Sequence, residues 1–288
     1  MKEKVEQIVR NLYYTTLSTL PTKANINFRY FINNGRLPNL KSPKKFSEKI
    51  LFTMFDKEYE NYNIYVDKYL VREEIKKLIG EKYLNKLIGV YDKVEEIDFE
   101  QLPNRFVLKV TNGSGCNIIV KDKKKLDINK CKKKLEKWLK INYYKVNREP
   151  EYKNVKSRII CEEYLEDESG ELRDYKIFCF NGEPEFIQVD TNRFSGHKQD
   201  FYNIKWEKID LKFVSENSDD ILRKPKKLDE MLELSKKIAK KFIFVRIDFY
   251  YVNNEIYFGE ITFHPMAGNK DFKPETENLR IANLISLN

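Results

Sequence analysis

Histidine and cysteine are scarce in this 288-residue chain: there are two of the first and four of the second. Cys116, Cys131, Cys161 and Cys179 form no C-x-x-C pair and have no histidine cluster near them, which excludes a zinc-ribbon site and a disulfide framework and leaves reduced, mostly buried thiols. No segment approaches the apolar length of a membrane span, and the first ten residues carry charges where a signal peptide would be apolar, so the expectation is a cytoplasmic protein. The composition is not that of a disordered chain either. Hydrophobic residues make up 41% and aromatics 14%, and Tyr and Phe are spread over the whole length, as a compact core requires. Lys and Arg exceed Asp and Glu by nine, which suggests an anionic partner without distinguishing nucleotide phosphates, membrane headgroups, nucleic acid and acidic glycans. The most lysine-rich stretch, 121–140, reads in its second part as an amphipathic helix with a solvated face. It has no interleaved aromatic platform, so no nucleic-acid partner is expected.

The stretch from Val245 to Pro265 predicts two strands joined by a turn at Asn253-Asn254, whose residue types tolerate positive φ. Asp248 and Glu260 interrupt these otherwise apolar strands. They are either residues of a solvent face or carboxylates compensated by a cation, and Arg246 and a hard divalent ion such as Mg²⁺ are the two candidates.

Earlier in the chain, Val5, Ile8, Val9, Leu12 and Tyr13 have helical spacing up to Pro21, while 25–43 is aromatic and basic without a legible role. Ser47 is a plausible N-cap for a helix through Ile50, Leu51, Met54 and Phe55. Asp67-Lys68 heads another helix, closed near Gly80. Arg105–Thr111 is a predicted strand, followed by Asn112-Gly113-Ser114-Gly115 and a second strand at Ile118–Val120. Glycines there would let backbone N–H groups approach a phosphate closely, although a lone Gly-Ser-Gly is usually just a turn. Arg158–Leu165 predicts a strand running into an acidic linker, Glu166–Gly170. Leu172–Asp190 predicts a hairpin turning at Asn181-Gly182, and Arg193, His197 and Lys198 follow in a loop.

In this order and spacing, Lys44-Phe46-Lys49, Asp67-Lys68-Tyr69-Val71-Arg72, Lys109-Gly113-Gly115, Asp174-Tyr175-Lys176, Phe186-Gln188-Asp190-Arg193 and Gly259-Glu260-Thr262 resemble the TupA-like ATP-grasp family of bacterial surface-polysaccharide loci. The resemblance runs from about residue 28 to the end of the chain. It implies an α/β (α+β) ATP-grasp fold, with two lobes each built on a mostly antiparallel sheet and a nucleotide between them. The boundaries expected are a reduced helical region over 1–66, an N-lobe over 67–165 and a C-lobe over 166–288.

The resemblance further implies ATP and Mg²⁺ as cofactors. Lys68, Lys109, Gly113, Ser114 and Gly115 would meet the phosphates, Glu162, Glu163 and Leu165 the adenine edge, and Asp174 the ribose. Asp248, Glu260 and Thr262 would hold the metal, with Thr262 where the wider superfamily has Asn. Arg246, Lys176, Arg193, His197 and Lys198 would serve the transfer chemistry. The implied reaction is an ADP-forming carboxylate–amine ligation on a capsule or cell-surface glycan, compatible with peripheral association with membrane glycan machinery. A sugar-nucleotide-dependent glycosyltransferase is the alternative.

Overall fold

The computed structural model describes residues 13–167, 172–191 and 196–287. Arg193 and most of the N-terminal helix expected before Pro21 lie outside them.

Two antiparallel sheets face each other. The smaller takes β1 (Leu87–Tyr91), β2 (Phe106–Val110), β3 (Asn117–Val120) and β4 (Ile159–Glu163) in the order β1-β4-β2-β3. The larger takes β5 (Asp174–Phe180), β6 (Glu183–Thr191), β7 (Lys198–Asn203), β8 (Lys208–Ile209), β9 (Phe244–Val252) and β10 (Glu255–Thr262) in the order β10-β9-β5-β6-β7-β8. Their outer faces are covered by separate apolar clusters. Under the small sheet, Phe106, Leu108 and Val110 pack on Cys131 and Leu135 of a helix over Ile128–Leu139. Under the large one, Ile177, Cys179, Val245 and Ile247 pack on Met231, Leu234 and Ile238 of a helix over Leu228–Ala239. The small sheet thus buries one face by strand alternation, while the large sheet buries part of its second face as well, where the side carrying Asp174, Lys176 and Asp248 runs on into Phe178, Phe180, Phe186 and Phe244 packed with Phe46 and Phe272.

The N-terminal region is helical, with helices at Thr22–Asn34, Phe46–Thr53, Asn63–Val66 and Val71–Leu78. The aromatic, basic stretch over 25–43 that carried no pattern in the sequence lies in the first of these up to Asn34 and leaves it at Gly35. Its buried Asn25 and Arg29 bond outward: Asn25 Nδ2 donates to the Leu17 and Val146 carbonyls at 2.7 and 3.0 Å, and Arg29 donates to the Asn147 carbonyl at 2.7 Å and the Ala267 carbonyl at 3.3 Å. Ser47 is not an N-cap. The helix begins one residue earlier, and Glu48 accepts the Lys44 and Lys45 backbone N–H groups, while the Ser47 hydroxyl meets the Tyr30 hydroxyl at 3.0 Å.

The β9–β10 hairpin turns at Asn253 (φ 51°) and Asn254 (φ 62°), the left-handed pair a two-residue turn requires. Its register slips at Gly259, so that Glu260 stands opposite Asp248 and Thr262 opposite Arg246.

Candidate functional site

A cavity of about 380 Å³ lies between the polar faces of the two sheets. The small-sheet side brings two lysines. Asp67 accepts the Tyr69 and Leu70 N–H groups at 2.8 and 3.2 Å and so starts the helix that Lys68 precedes. From there Lys68 Nζ reaches the Gly113 carbonyl at 2.5 Å. Burial pulls the Lys68 ammonium pKa down, partly offset by the charge of Glu260 across the cavity. Lys109, on β2, donates to Glu162 Oε2 at 2.7 Å, and Arg72 donates to Glu162 Oε1 at 3.0 Å. Glu162 is therefore a clamp: with both oxygens committed, it fixes two cations at the cavity wall.

The loop between β2 and β3 is closed by Val110 N–H donating to the Cys116 carbonyl at 2.9 Å. Gly113 has φ 104°, and a Cβ there would fall 2.5 Å from the Tyr143 ring. Tyr143 in turn packs on Tyr152 with ring centroids 4.7 Å apart, so the loop rests on an aromatic step that the buried Arg29 and Asn25 hold from behind.

On the large sheet, cross-strand pairing puts Glu260, Asp248, Lys176 and Gln188 on one rung, and Asp174 and Asp190 side by side on the next. Lys176 Nζ sits 3.0 Å from Asp174, 2.9 Å from Asp248 and 3.5 Å from Asp190. Burial alone would lower its pKa, and these carboxylates reverse that and raise it. Arg246 grips Asp248 through Nε (2.7 Å) and Nη2 (2.8 Å), and the same Nη2 reaches Glu260 and Thr262 Oγ1 at 3.1 Å each. Burial pushes the Asp248 carboxyl up, but Arg246 and Lys176 overcome it and hold the group below the usual range, fully ionised at neutral pH.

Two carboxylates and a hydroxyl converging on one cationic nitrogen form a hard-oxygen donor set that suits Mg²⁺, which takes one or two protein carboxylates and fills its other positions with water and phosphate. Among the described residues no group of three His, Cys, Asp or Glu side chains is placed to hold a metal, so the fit is to that open kind of site. Glu260 is the accessible member, 37% exposed, whereas Asp248 is 3% exposed.

Of the residues expected from sequence, Lys68, Lys109, Ser114, Gly115, Glu162, Asp174, Lys176, His197, Asp248 and Glu260 line this cavity, Arg246 and Gly113 bond to ones that do, and Thr262 accepts from Arg246. His197 Nε2 lies 3.5 Å from Asp190 Oδ1. Lys198 is not in a loop: it opens β7 opposite Thr191, one position out of step with the Asp190–Gln199 pair, and so faces away. The Glu163 backbone is engaged on both sides, its N–H donating to the Lys86 carbonyl at 3.0 Å and its carbonyl accepting from Asn85 at 2.8 Å. Leu165 lies beyond the end of β4 and is half-buried. Arg72 and Tyr250 line the cavity without having been singled out for it. Arg72 stood within the quoted Asp67–Arg72 motif, but its role depends on a partner ninety residues away.

No curated protein matches the sequence. Among solved structures, D-alanine–D-alanine ligase from Bacillus anthracis, complexed with ATP, is similar at 16% identity and a TM-score of 0.43 over 69% of this chain and 55% of that one. The D-alanine–D-alanine ligase of Helicobacter pylori gives 17% and 0.42 over 78% and 62%. L-amino acid ligase from Bacillus licheniformis gives 14% and 0.42 over 81% and 47%. The chain thus spans less than two thirds of the length of each. The TupA-like ATP-grasp model matches residues 48–285, the greater part of the sequence and both sheets, and the chain belongs to that family.

Proposed function

We propose that the protein is an ATP-dependent, ADP-forming carboxylate–amine ligase of cell-surface polysaccharide biosynthesis, joining an amine or amino acid to a uronic acid or amino-acid acceptor. The observation that carries this reading is the opposition, across one cavity, of Lys68, Lys109 and a glycine loop on the small sheet to Lys176, Asp248 and Glu260 on the large one. Phosphates need backbone N–H groups and cations on one side, and a carboxylate-bound cation on the other.

In the first half-reaction an acceptor carboxylate oxygen attacks the γ-phosphorus and ADP leaves, giving an acyl phosphate. In the second, the amine nitrogen attacks the acyl carbon, phosphate leaves, and the nitrogen gives up a proton. Lys68 and Lys109 would hold the phosphates in line, with Glu162 keeping Lys109 and Arg72 extended toward them. Asp174 would take the ribose. Lys176 would add positive charge where the transferring group becomes more anionic. Magnesium held by Asp248 and Glu260, with Thr262 beside them, would supply charge neutralisation at the phosphates. Arg246, once released from Glu260, is the group closest to hand for the oxyanion of the second step, and His197 and Arg193 are assigned to the acceptor side.

A pairwise screen of uronic acids, nucleotide sugars and amino acids for ADP release tests the reading. Turnover that requires a carboxylate and an amine together is the expected result. Transfer from a nucleotide sugar without ATP consumption would replace it with the glycosyltransferase.

A further inference from the structure

On the other face of the large sheet, away from the nucleotide cavity, a second cleft of about 510 Å³ opens beside the tip of the β9–β10 hairpin. Strand alternation separates the two: Asp174 and Tyr250 face the first cavity, while their neighbours Tyr175 and Tyr251 face this one. The lining is strongly cationic. Arg173 comes from the chain just ahead of β5, and Arg223, Lys224 and Lys226 from the segment leading into the helix over Leu228–Ala239, against Asp167 as the one carboxylate in the wall among the described residues. Lys224 pairs with Asp229 at 3.2 Å. No carboxylate among the described residues pairs with Arg223 or Lys226. Pro225, buried between them, fixes the segment so that the side chains on either side of it are presented to the cleft.

We propose that this cleft is a second anion site, taking a diphosphate-class ligand. With Asp167 in the wall and Asp229 on Lys224 set against the four cations, two positive charges remain among the described residues, and two guanidinium forks on separate segments can each take the paired oxygens of one phosphoryl group. Tyr175 and Tyr251 supply an apolar flank for whatever the diphosphate carries. The site is independent of the ligase reading, because none of its lining is shared with the nucleotide cavity.

The test is calorimetric titration of inorganic pyrophosphate into three forms of the full chain: the wild type, the Arg223→Gln/Lys226→Gln variant and the Lys68→Ala/Lys109→Ala variant. Trp206 localises the event, since it stacks on Tyr202 at 4.3 Å and lies 6.2 Å from Tyr175, so its emission should change on binding. The expected result is a saturable site that survives Lys68→Ala/Lys109→Ala and weakens at least tenfold in Arg223→Gln/Lys226→Gln at an unchanged melting temperature. UDP binding there more tightly than pyrophosphate would identify a soluble nucleotide source. Co-sedimentation with phosphatidylcholine vesicles carrying a polyprenyl diphosphate, lost in Arg223→Gln/Lys226→Gln, would identify a lipid one. Pyrophosphate binding that disappears with the two lysines and ignores the Arg223/Lys226 pair overturns the proposal, as does the absence of any saturable binding.

Discussion

Replacing Gly113 by alanine tests how the phosphate-side loop is supported. Two separate costs arise. At φ 104° an L-residue is strained, by about 1–3 kcal/mol. The new methyl also falls 2.5 Å from Tyr143 Cδ2, an overlap that costs about 1–3 kcal/mol if the ring cannot retreat. Retreat is restricted because Tyr143 packs against Tyr152 at a tilt of 54°, and the neighbouring Val146 and Asn147 carbonyls are bonded to Asn25 and Arg29. The loop is exposed on its other side, so it should lift rather than unfold the lobe. The loss should then appear in ATP affinity, tenfold for about each 1.4 kcal/mol, with the melting temperature of the ligand-free protein nearly unchanged. Adding Tyr143→Ala removes the overlap and leaves the φ strain, so a double-mutant cycle should return a favourable coupling of about 1–3 kcal/mol. The assay is titration of ATP with Mg²⁺ into the four proteins. Wild-type affinity in Gly113→Ala, or zero coupling with Tyr143→Ala, would refute the account of a loop resting on that ring.

Two further outcomes follow from the buried charges. Mg-ATP at a hundred times its dissociation constant should stabilise the wild type by about 2.7 kcal/mol, several degrees in Tm, and Glu260→Gln should lose the Mg²⁺-dependent part of that shift while the free protein keeps its Tm, because Arg246 still grips Asp248; a full shift in Glu260→Gln would place the metal elsewhere. Glu149 is buried with one oxygen unpaired, and burial together with the nearby Glu151 raises its pKa well above the usual value, with Arg29 opposing. The folded protein therefore keeps a proton that the unfolded chain loses above about pH 4.5, and stability falls as pH rises through that window. Glu149→Gln removes this dependence, so its stability advantage over the wild type should grow by up to about 1.4 kcal/mol per pH unit there, measured by urea unfolding across pH; parallel curves would show that Glu149 is ionised in the fold.

What could be read from the sequence was local. The β9–β10 hairpin announced itself by alternation and by Asn253-Asn254, and the glycine loop by its position between two apolar runs. Lys68 and Lys109 were assigned by the family resemblance. The residues that fix those groups were not legible, because their partners are remote: Arg72 and Lys109 meet at Glu162, and Arg29 reaches Asn147 and Ala267. The helix over Thr22–Asn34 was hidden for a related reason. Its buried face carries Asn25 and Arg29, polar residues that weaken a hydrophobic period and make sense only beside the carbonyls they bond. Lys198 was misplaced by a single step of strand parity, a distinction that depends on where β7 begins.

The slip at Gly259 works like a frameshift written into the strand. From the turn outward, Ile256 and Phe258 face the core; with strict alternation Glu260 would follow them inward and Ile261 would point into the cavity. One extra residue inverts the phase, so that Ile261 and Phe263 are buried and Glu260 and Thr262 are delivered to Asp248 and Arg246. Glycine fits closely there, since a Cβ would stand 3.0 Å from the Asp248 carbonyl oxygen and push the strands apart by a few tenths of an ångström. The hairpin can therefore drift in composition, exchanging one aliphatic residue for another or threonine for a different polar group, while it stays rigid in length. Losing or gaining one residue between Asn254 and Glu260 would turn the site inside out, burying the glutamate and showing isoleucine to the phosphates without altering any functional side chain.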